Sequence, residues 1–230
     1  KFAEKIIFRV NKLLINKFDE LWIPDSEKSE NISGELSHFC EIHKNQHFVG
    51  ILSRLSVSEN FNAEKKFDIL FILSGPEPQR SIFEKIVTEQ ILKSEFSALI
   101  VAAKPNLKFE KQLNSRVKMV PHLSSTEMKK AILSSDFVIS RCGYTTLMDL
   151  VSLKKSAILV PTPGQSEQEY LATYMLKKKL FYCIEQSKFD LKESILNLKK
   201  LHSDNIRLFD VDNSELIGCI KNLKTKINAE

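Results

Sequence analysis

Gly143-Tyr144-Thr145-Thr146, followed three residues later by Asp149, is the stretch of this chain best equipped for binding chemistry. It comes after a short apolar run, Phe137 to Ile139 closed by Ser140, and opens a helical pattern from Tyr144 to Lys154. A glycine at a strand-to-helix turn lets a ligand approach the backbone. The first amides of the helix are unpaired donors, and the helix dipole adds partial positive charge. Together they make an anion site suited to phosphate. Thr145 and Thr146 add hydroxyl donors. Asp149 lies about one helical turn beyond Thr146, so both can face one ligand. Its carboxylate could take a vicinal diol, such as a ribose, through two hydrogen bonds. An ordinary helix start explains the same residues: the threonines cap the helix and Asp149 complements its dipole. Spacing alone leaves both readings open.

Two more loops are rich in hydrogen-bonding groups. Gly164-Gln165-Ser166-Glu167-Gln168-Glu169 follows the apolar run Ala157 to Val160 and suits a polyhydroxylated ligand. Ser166 and Glu169 also have capping-box spacing, which would make Glu169 a helix closer. Gln165 and Gln168 have no such structural duty. Ser74-Gly75-Pro76-Glu77-Pro78-Gln79-Arg80 likewise leads from strand to helix. It lacks the lysine and spacing of a Walker loop and is not G-x-G-x-x-G. A proline-shaped turn, with Pro78 near the first helical position, also accounts for it. His122 follows the run Val117 to Val120 and could lie near a base, or be a plain loop histidine. Asp210 and Asp212 spell an Asp-x-Asp, more simply read as part of the start of the last helix. Cys142 has no evident base partner and is not read as a nucleophile. No histidine pair has metal-ligand spacing, so no metal site is expected.

These loops need a frame. Helical periodicity covers Phe2 to Phe18, with Phe2, Ile6, Val10, Leu13, Leu14 and Phe18 on one face that needs covering. Short strands are predicted at Glu20 to Ile23 and Gln46 to Gly50, with a loop over Asp25 to Ser37 and another over Ser53 to Lys66. From Asp68 the pattern is regular. Strands are predicted at Ile69 to Leu73, Ala98 to Ala103, Val117 to Val120, Phe137 to Ser140, Ala157 to Val160 and Phe181 to Ile184. Helices are predicted at Gln79 to Lys93, with Ile82, Ile86, Val87 and Ile91 inward, and from the Ser124/Glu127 capping box to Ser134. Further helices are predicted at Tyr144 to Lys154, Ser166 to Lys179, Asp190 to Leu201 and Ser214 to Ile227. Alternation of this kind implies an α/β fold with a doubly wound parallel sheet and right-handed crossovers. Ligands then sit outside the carboxyl ends of the strands, where all three loops fall. A domain boundary is placed near residue 50, since the stretch before it is too small for its own core.

Composition narrows the class. The chain has 230 residues, 43% hydrophobic and 27% charged, which is ordinary for a globular protein. It contains no apolar run of the roughly 18 residues a membrane span needs. Four dispersed cysteines without C-x-x-C favour reduced thiols and a cytoplasmic setting. The net charge of +5 is modest, and the lysine clusters read as solvated helix faces. No nucleic-acid motif is present, so nucleic acid is not an expected partner. The chain begins at Lys1 without a methionine or a signal-peptide pattern, and reads as a cut-out of something longer.

At ISRCGYTTLMDL (Ile139 to Leu150) and AILVPTPGQSEQEYLA (Ala157 to Ala172), supported by LFILSGPEPQR (Leu70 to Arg80), the sequence resembles the C-terminal domain of GT-B glycosyltransferases. The resemblance is to the branch that includes the lipid-linked N-acetylglucosaminyl transferase of peptidoglycan synthesis. Order and spacing match over roughly residues 46 to 228. The resemblance implies a Rossmann-like domain at 46–230 that binds a UDP-sugar, and a tail of the acceptor domain at 1–45. It implies that Gly143, Thr145 and Thr146 meet the diphosphate and that Asp149 meets the ribose. Gln168 and Glu169, with Gln165 beside them, fall at the sugar. Val120 and His122 fall around the uracil, largely through backbone atoms. Ser74 and Gly75 fall in the loop lining the cleft. The implied reaction moves a sugar, by analogy an N-acetylhexosamine, from UDP to an acceptor hydroxyl without a metal or other cofactor. The family's catalytic base usually lies in the other domain, so no catalytic residue is assigned and this stretch alone is expected to be inactive. The acceptor, lipid- or glycan-linked, is not fixed, and peripheral contact with a membrane is compatible with it. The family often has Glu where this chain has Asp149, and a glycine-richer loop than Ser74 to Arg80. A UDP-sugar epimerase of the same fold and a non-catalytic binding subunit are the alternatives.

Overall fold

The computed structural model describes residues 2–28, 30–55, 64–201, 206, 209, 211 and 213–228. In chain order the elements are α1 (Phe2–Ile15), β1 (Leu21–Ile23), α2 (Glu35–His38), β2 (Gln46–Phe48), β3 (Phe67–Ile72), α3 (Gln79–Leu92), β4 (Ala98–Val101), β5 (Lys111–Gln112) and β6 (Val117–Val120). They continue with α4 (Ser125–Leu133), β7 (Ser135–Ser140), α5 (Tyr144–Ser152), β8 (Ile158–Leu159), α6 (Ser166–Lys177), β9 (Tyr182–Cys183), a 3₁₀ turn (Gln186–Lys188), α7 (Leu191–Lys200) and α8 (Ser214–Ile227). Asp210, Asp212 and most of the predicted loop between Ser53 and Lys66 lie outside the described residues. No helix among the described residues is long and apolar enough to cross a membrane.

The chain forms two compact units. One comprises Lys1–Leu52 with Asp210–Glu230, the other Ser53–Phe209. In the first, β1 and β2 pair in parallel, Trp22 opposite His47. Its loop is organised by Asp25, which is fully buried. The carboxylate receives the amides of Ser26, Ile32 and Ser33 at 2.8, 3.1 and 2.9 Å. A buried charge needs such donors, or its desolvation would unfold the loop. The single turn α2 lies at the end of a stretch expected to be loop throughout. Ile6, Val10, Leu13, Leu14 and Phe18, which the pattern puts on one face, are all exposed, Leu13 at 71%. The Phe2 side chain is outside those described.

In the second unit seven strands run in the order β5-β6-β4-β3-β7-β8-β9. All neighbours are parallel except the two-residue β5, which runs antiparallel to β6. The predicted doubly wound parallel sheet is therefore present. Central β3 carries the run Ile69-Leu70-Phe71, with each of these residues fully buried, as a strand covered on both faces requires. Phe71 stands opposite Ile100 on one side and Ile139 on the other. One core cluster joins Ile69, Phe71 and Ile139 to Phe83, Val87 and Ile91 of α3 and Ile195 of α7. The inward face of α3 is thus Phe83-Val87-Ile91, at i, i+4 and i+8. Ile82, expected inward, is 43% exposed, and Ile86 is half-buried. Phe83 and Ile82 are adjacent, and the larger ring takes the core. β5 was not foreseen: Lys111-Gln112 is polar and too short for a periodic signal. The capping box of α4 forms as predicted, Ser124 and Glu127 exchanging bonds.

Candidate nucleotide-sugar site

From β3 the chain moves to β4 on one side, and β7 later pairs on the other. The winding reverses there, so the crevice at the carboxyl ends of β3 and β7 is the switch point where ligands bind in open α/β sheets. The loop after β7 is Arg141-Cys142-Gly143, and α5 begins at Tyr144. Gly143 is the N-cap, and no side chain caps the helix. The threonines therefore do not serve as N-caps. Thr145 is exposed and Thr146 half-buried. Among the described residues no hydrogen bond to either hydroxyl is formed.

Gly143 itself has no internal reason to be glycine. Its φ of −84° and ψ of 145° suit any residue. A Cβ there would meet only Thr146 Oγ1, at 3.9 Å. The space beside the helix head is thus open. Gly75, in the loop after β3, differs: its φ of +96° favours glycine, and a Cβ would lie 3.3 Å from Thr162 Oγ1. The loops after β3 and β8 therefore approach each other across the end of β7. Thr162 is 1% exposed, and its hydroxyl has no partner among the described residues.

Asp149 faces inward and is 8% exposed. Its Oδ1 accepts the Ser53 hydroxyl at 2.6 Å. Burial raises its pKa above the ordinary carboxylate value, opposed by the Ser53 bond and by the charge of Arg54. Ser53 and the exposed Arg54 are neighbours of Asp149 that the sequence did not reveal. They lie 96 and 95 positions before Asp149, in a segment read as plain linker. One carboxylate oxygen is thus already engaged, a departure from the picture of two oxygens free for a diol.

The loop after β8 holds itself together. Gln168 Oε1 accepts the Thr162 amide at 3.0 Å and its Nε2 donates to Gln165 Oε1 at 2.5 Å. Gln165 and Gln168 therefore do have a structural duty, contrary to expectation. Glu169 accepts the Gly164 amide at 2.9 Å. Ser166 is the first helical residue and Gln165 the N-cap, without a side-chain bond, so the capping box that the Ser166/Glu169 spacing allowed does not form. The tight turn at Gly164 brings Glu169 to that amide instead. After β3, Pro78 is the N-cap of α3, one residue before the first helical position. Glu77 accepts from Ser81 and pairs with Arg80, which also donates to the Ala103 carbonyl at 2.7 Å. After β6, His122 is exposed and Val120 is 8% exposed. The Val120 carbonyl accepts the Ala102 amide at 2.9 Å, so it carries a sheet bond already.

Along the strand ends the order is thus Val120 and His122, then Ser74 and Gly75, then Gly143 to Thr146, then Gln165 to Glu169. β6 lies three strand positions from β7, about 14 Å. A ligand touching all four groups must be elongated. A cavity of about 820 Å³ is lined by residues of α3, α6 and the 183–188 segment, with Pro161 and Pro163 of the loop after β8. It shares only Glu169 with these groups. The open crevice at the α5 head encloses little volume and is separate from this cavity. Cys142 is fully buried. Its contact with Cys183, together with burial, pushes the Cys183 thiol well above its usual pKa, which keeps that thiol protonated. Among the described residues no cluster of His, Cys, Asp or Glu could hold a metal ion.

Residues 69–215 match the model of the glycosyltransferase family 28 C-terminal domain. The chain belongs to this family. Its match to the family 28 model takes in the loops after β3, β6, β7 and β8. Similar proteins include the UDP-N-acetylglucosamine--N-acetylmuramyl-(pentapeptide) pyrophosphoryl-undecaprenol N-acetylglucosamine transferase of Natranaerobius thermophilus. It is 26% identical over 172 residues, 68% of this chain and 46% of the relative. The protein of the same name from Listeria welshimeri is 24% identical over 208 residues, 86% of this chain and 56% of the relative. This family 28 chain therefore spans about half the length of the curated relatives it matches. Among solved structures, spinosyn forosaminyltransferase SpnP aligns with a TM-score of 0.53 at 11% identity, over 76% of this chain and 50% of that one. That likeness concerns the fold alone, the expected Rossmann-like fold of GT-B glycosyltransferases.

Proposed function

We propose that this chain is the donor-binding half of a glycosyltransferase that uses a UDP-sugar. The observation that carries the reading is the uncapped head of α5 at the switch point, beside a glycine the protein's own packing does not require. The amides at that head and the Thr145 and Thr146 hydroxyls take the diphosphate, with Arg54 as a nearby cation. Asp149, held by Ser53, offers its remaining oxygen to the ribose. Val120 and His122 line the base end, and Ser74 and Gly75 form the wall between. Gln165, Gln168 and Glu169 face the sugar. The relatives' names support an N-acetylhexosamine donor and a lipid-linked acceptor.

In the reaction an acceptor hydroxyl attacks the anomeric carbon, and the bond from that carbon to the β-phosphate oxygen breaks. The electron pair leaves with UDP, and the hydroxyl proton passes to a base outside this half. Negative charge grows on the departing diphosphate. Preorganised amides and hydroxyls at the helix head stabilise it without reorganising, and the assignment uses no metal.

Titration calorimetry of the 230-residue chain with UDP tests this reading. Binding is expected for UDP, with weaker binding for uridine. No heat from protein shown to be folded would overturn it. Supplying the complementary acceptor half with a UDP-sugar should then yield free UDP and a transferred sugar, whereas an epimer would point to an isomerase of the same fold.

A further inference from the structure

Arg141 is the largest fully buried side chain among the described residues, 1% exposed, two residues before the helix-head glycine. Its Nη1 donates to the carbonyls of Val160 and Pro161, both at 3.3 Å. Its Nη2 donates to the Gln79 carbonyl at 2.9 Å and to Gln186 Oε1 at 2.6 Å. The guanidinium stacks on Phe83 at 4.3 Å. Nε is buried without a partner among the described residues. No carboxylate among the described residues pairs with it, although buried charges are normally paired. Every acceptor it touches is a neutral amide oxygen. Burial lowers its pKa to about 10, so it remains a cation at neutral pH.

Two features follow from that geometry. The guanidinium ties the loop after β8 and the head of α3 to the end of β7, so three loops of the crevice share one anchor. It also leaves one positive charge in a dry interior, on a side chain whose backbone lies two residues before Gly143. Oriented carbonyls lower the cost of such a charge but do not cancel it. An anion at the helix head would complete the pair.

We infer that Arg141 is a positioning residue for the diphosphate, its uncompensated buried charge drawing the ligand's anionic part to the α5 head without touching it. The inference rests on the donor-site reading above and adds a residue to it. Field lines through the protein interior are screened less than those at the surface. A unit charge roughly 10 Å from a phosphate at an effective dielectric of about 20 is worth on the order of tenfold in affinity. A purely structural arginine would instead affect every ligand of the crevice alike.

The test is the ratio of UDP to uridine affinity, measured by calorimetry on the full 230-residue chain. Gln186→Glu sets a carboxylate against Nη2 with little change of shape, neutralising the cation in place. Arg141→Met removes it, and Arg141→Lys keeps the charge while losing the fork of hydrogen bonds. The ratio should fall about tenfold in Gln186→Glu and in folded Arg141→Met, and stay near wild type in Arg141→Lys. Gln186→Glu decides the matter if Arg141→Met does not fold. An unchanged ratio in folded Gln186→Glu, or a ratio lost equally in Arg141→Lys and Arg141→Met, would overturn the inference while leaving UDP binding itself intact. A wild-type chain that fails to prefer UDP over uridine would overturn the donor-site reading as well.

Discussion

Gly143→Ala separates a glycine kept for the fold from one kept for a ligand. The backbone at Gly143 is extended, and the added methyl would meet only Thr146 Oγ1, at 3.9 Å. Alanine is a poorer N-cap than glycine by about 0.5–1 kcal/mol. Reduced freedom of the unfolded chain returns about 0.4–1 kcal/mol. The two nearly cancel, so the fold should change by less than about 1 kcal/mol, a melting shift of at most about 4 °C for a chain of this size. Binding should respond differently. A phosphate oxygen must come to about 2.8 Å from the helix-head nitrogens, and a methyl in that approach forfeits a contact. A hydrogen bond to a charged group is worth about 1.5–3 kcal/mol, which is about tenfold to 150-fold in UDP affinity. Thermal melts and calorimetry with UDP and uridine measure both quantities on one sample. Uridine, lacking phosphate, should bind the variant nearly as it binds wild type. Full UDP affinity in the variant would show that the glycine does not serve a ligand, and a far lower melting temperature would show that it serves the fold.

Other outcomes follow from the same geometry. Asp149→Ala should weaken UDP by about 1–3 kcal/mol and leave pyrophosphate binding unchanged; equal losses in the two titrations would remove the ribose role. Because burial raises the Asp149 pKa, the native chain holds its proton more tightly than the unfolded one, and stability falls as pH rises from the ordinary value of 3.8 through the raised one. Asp149→Asn should therefore raise the melting temperature at neutral pH, with the advantage vanishing as the pH falls toward 3.8; an advantage independent of pH would contradict this. Phe83→Ala, which empties a fully buried site against Phe189 and Arg141, should cost about 3–5 kcal/mol in denaturant unfolding. Ser124→Ala should cost about 1 kcal/mol by loss of the α4 capping box and leave UDP affinity alone, which thermal melts with and without UDP would show.

The sheet was legible because its strands are buried on both faces. Ile69 to Phe71, Ala98 to Val101 and Ile158 to Val160 are continuous apolar runs, and each is a strand or a strand end. The α4 start was legible because a capping box is a local, two-residue signal. The same spacing at Ser166 left the outcome open: Glu169 does close the helix start, but on the Gly164 amide and not on that of Ser166. Ile82 misled because a helical pattern with two adjacent apolar positions does not say which one the core takes. The helix-head glycine stood out in the sequence, but its freedom from internal constraint is a three-dimensional fact. Ser53 and Arg54 carried no signal: a serine and an arginine in a polar segment look like linker until the fold sets them against Asp149. Arg141 was hidden for the opposite reason. A charged residue beside a glycine turn is ordinarily exposed, and only the packed structure shows it buried on neutral carbonyls.

The most direct measurement is an amide-resolved NMR titration of the 230-residue chain with UDP. The account predicts that the Gly143 to Thr146 amides shift first and most, with Asp149 and Arg54 following and the signals lining the cavity around Gln186 nearly still. Shifts confined to that cavity, with the α5 head unmoved at saturating UDP, would contradict it.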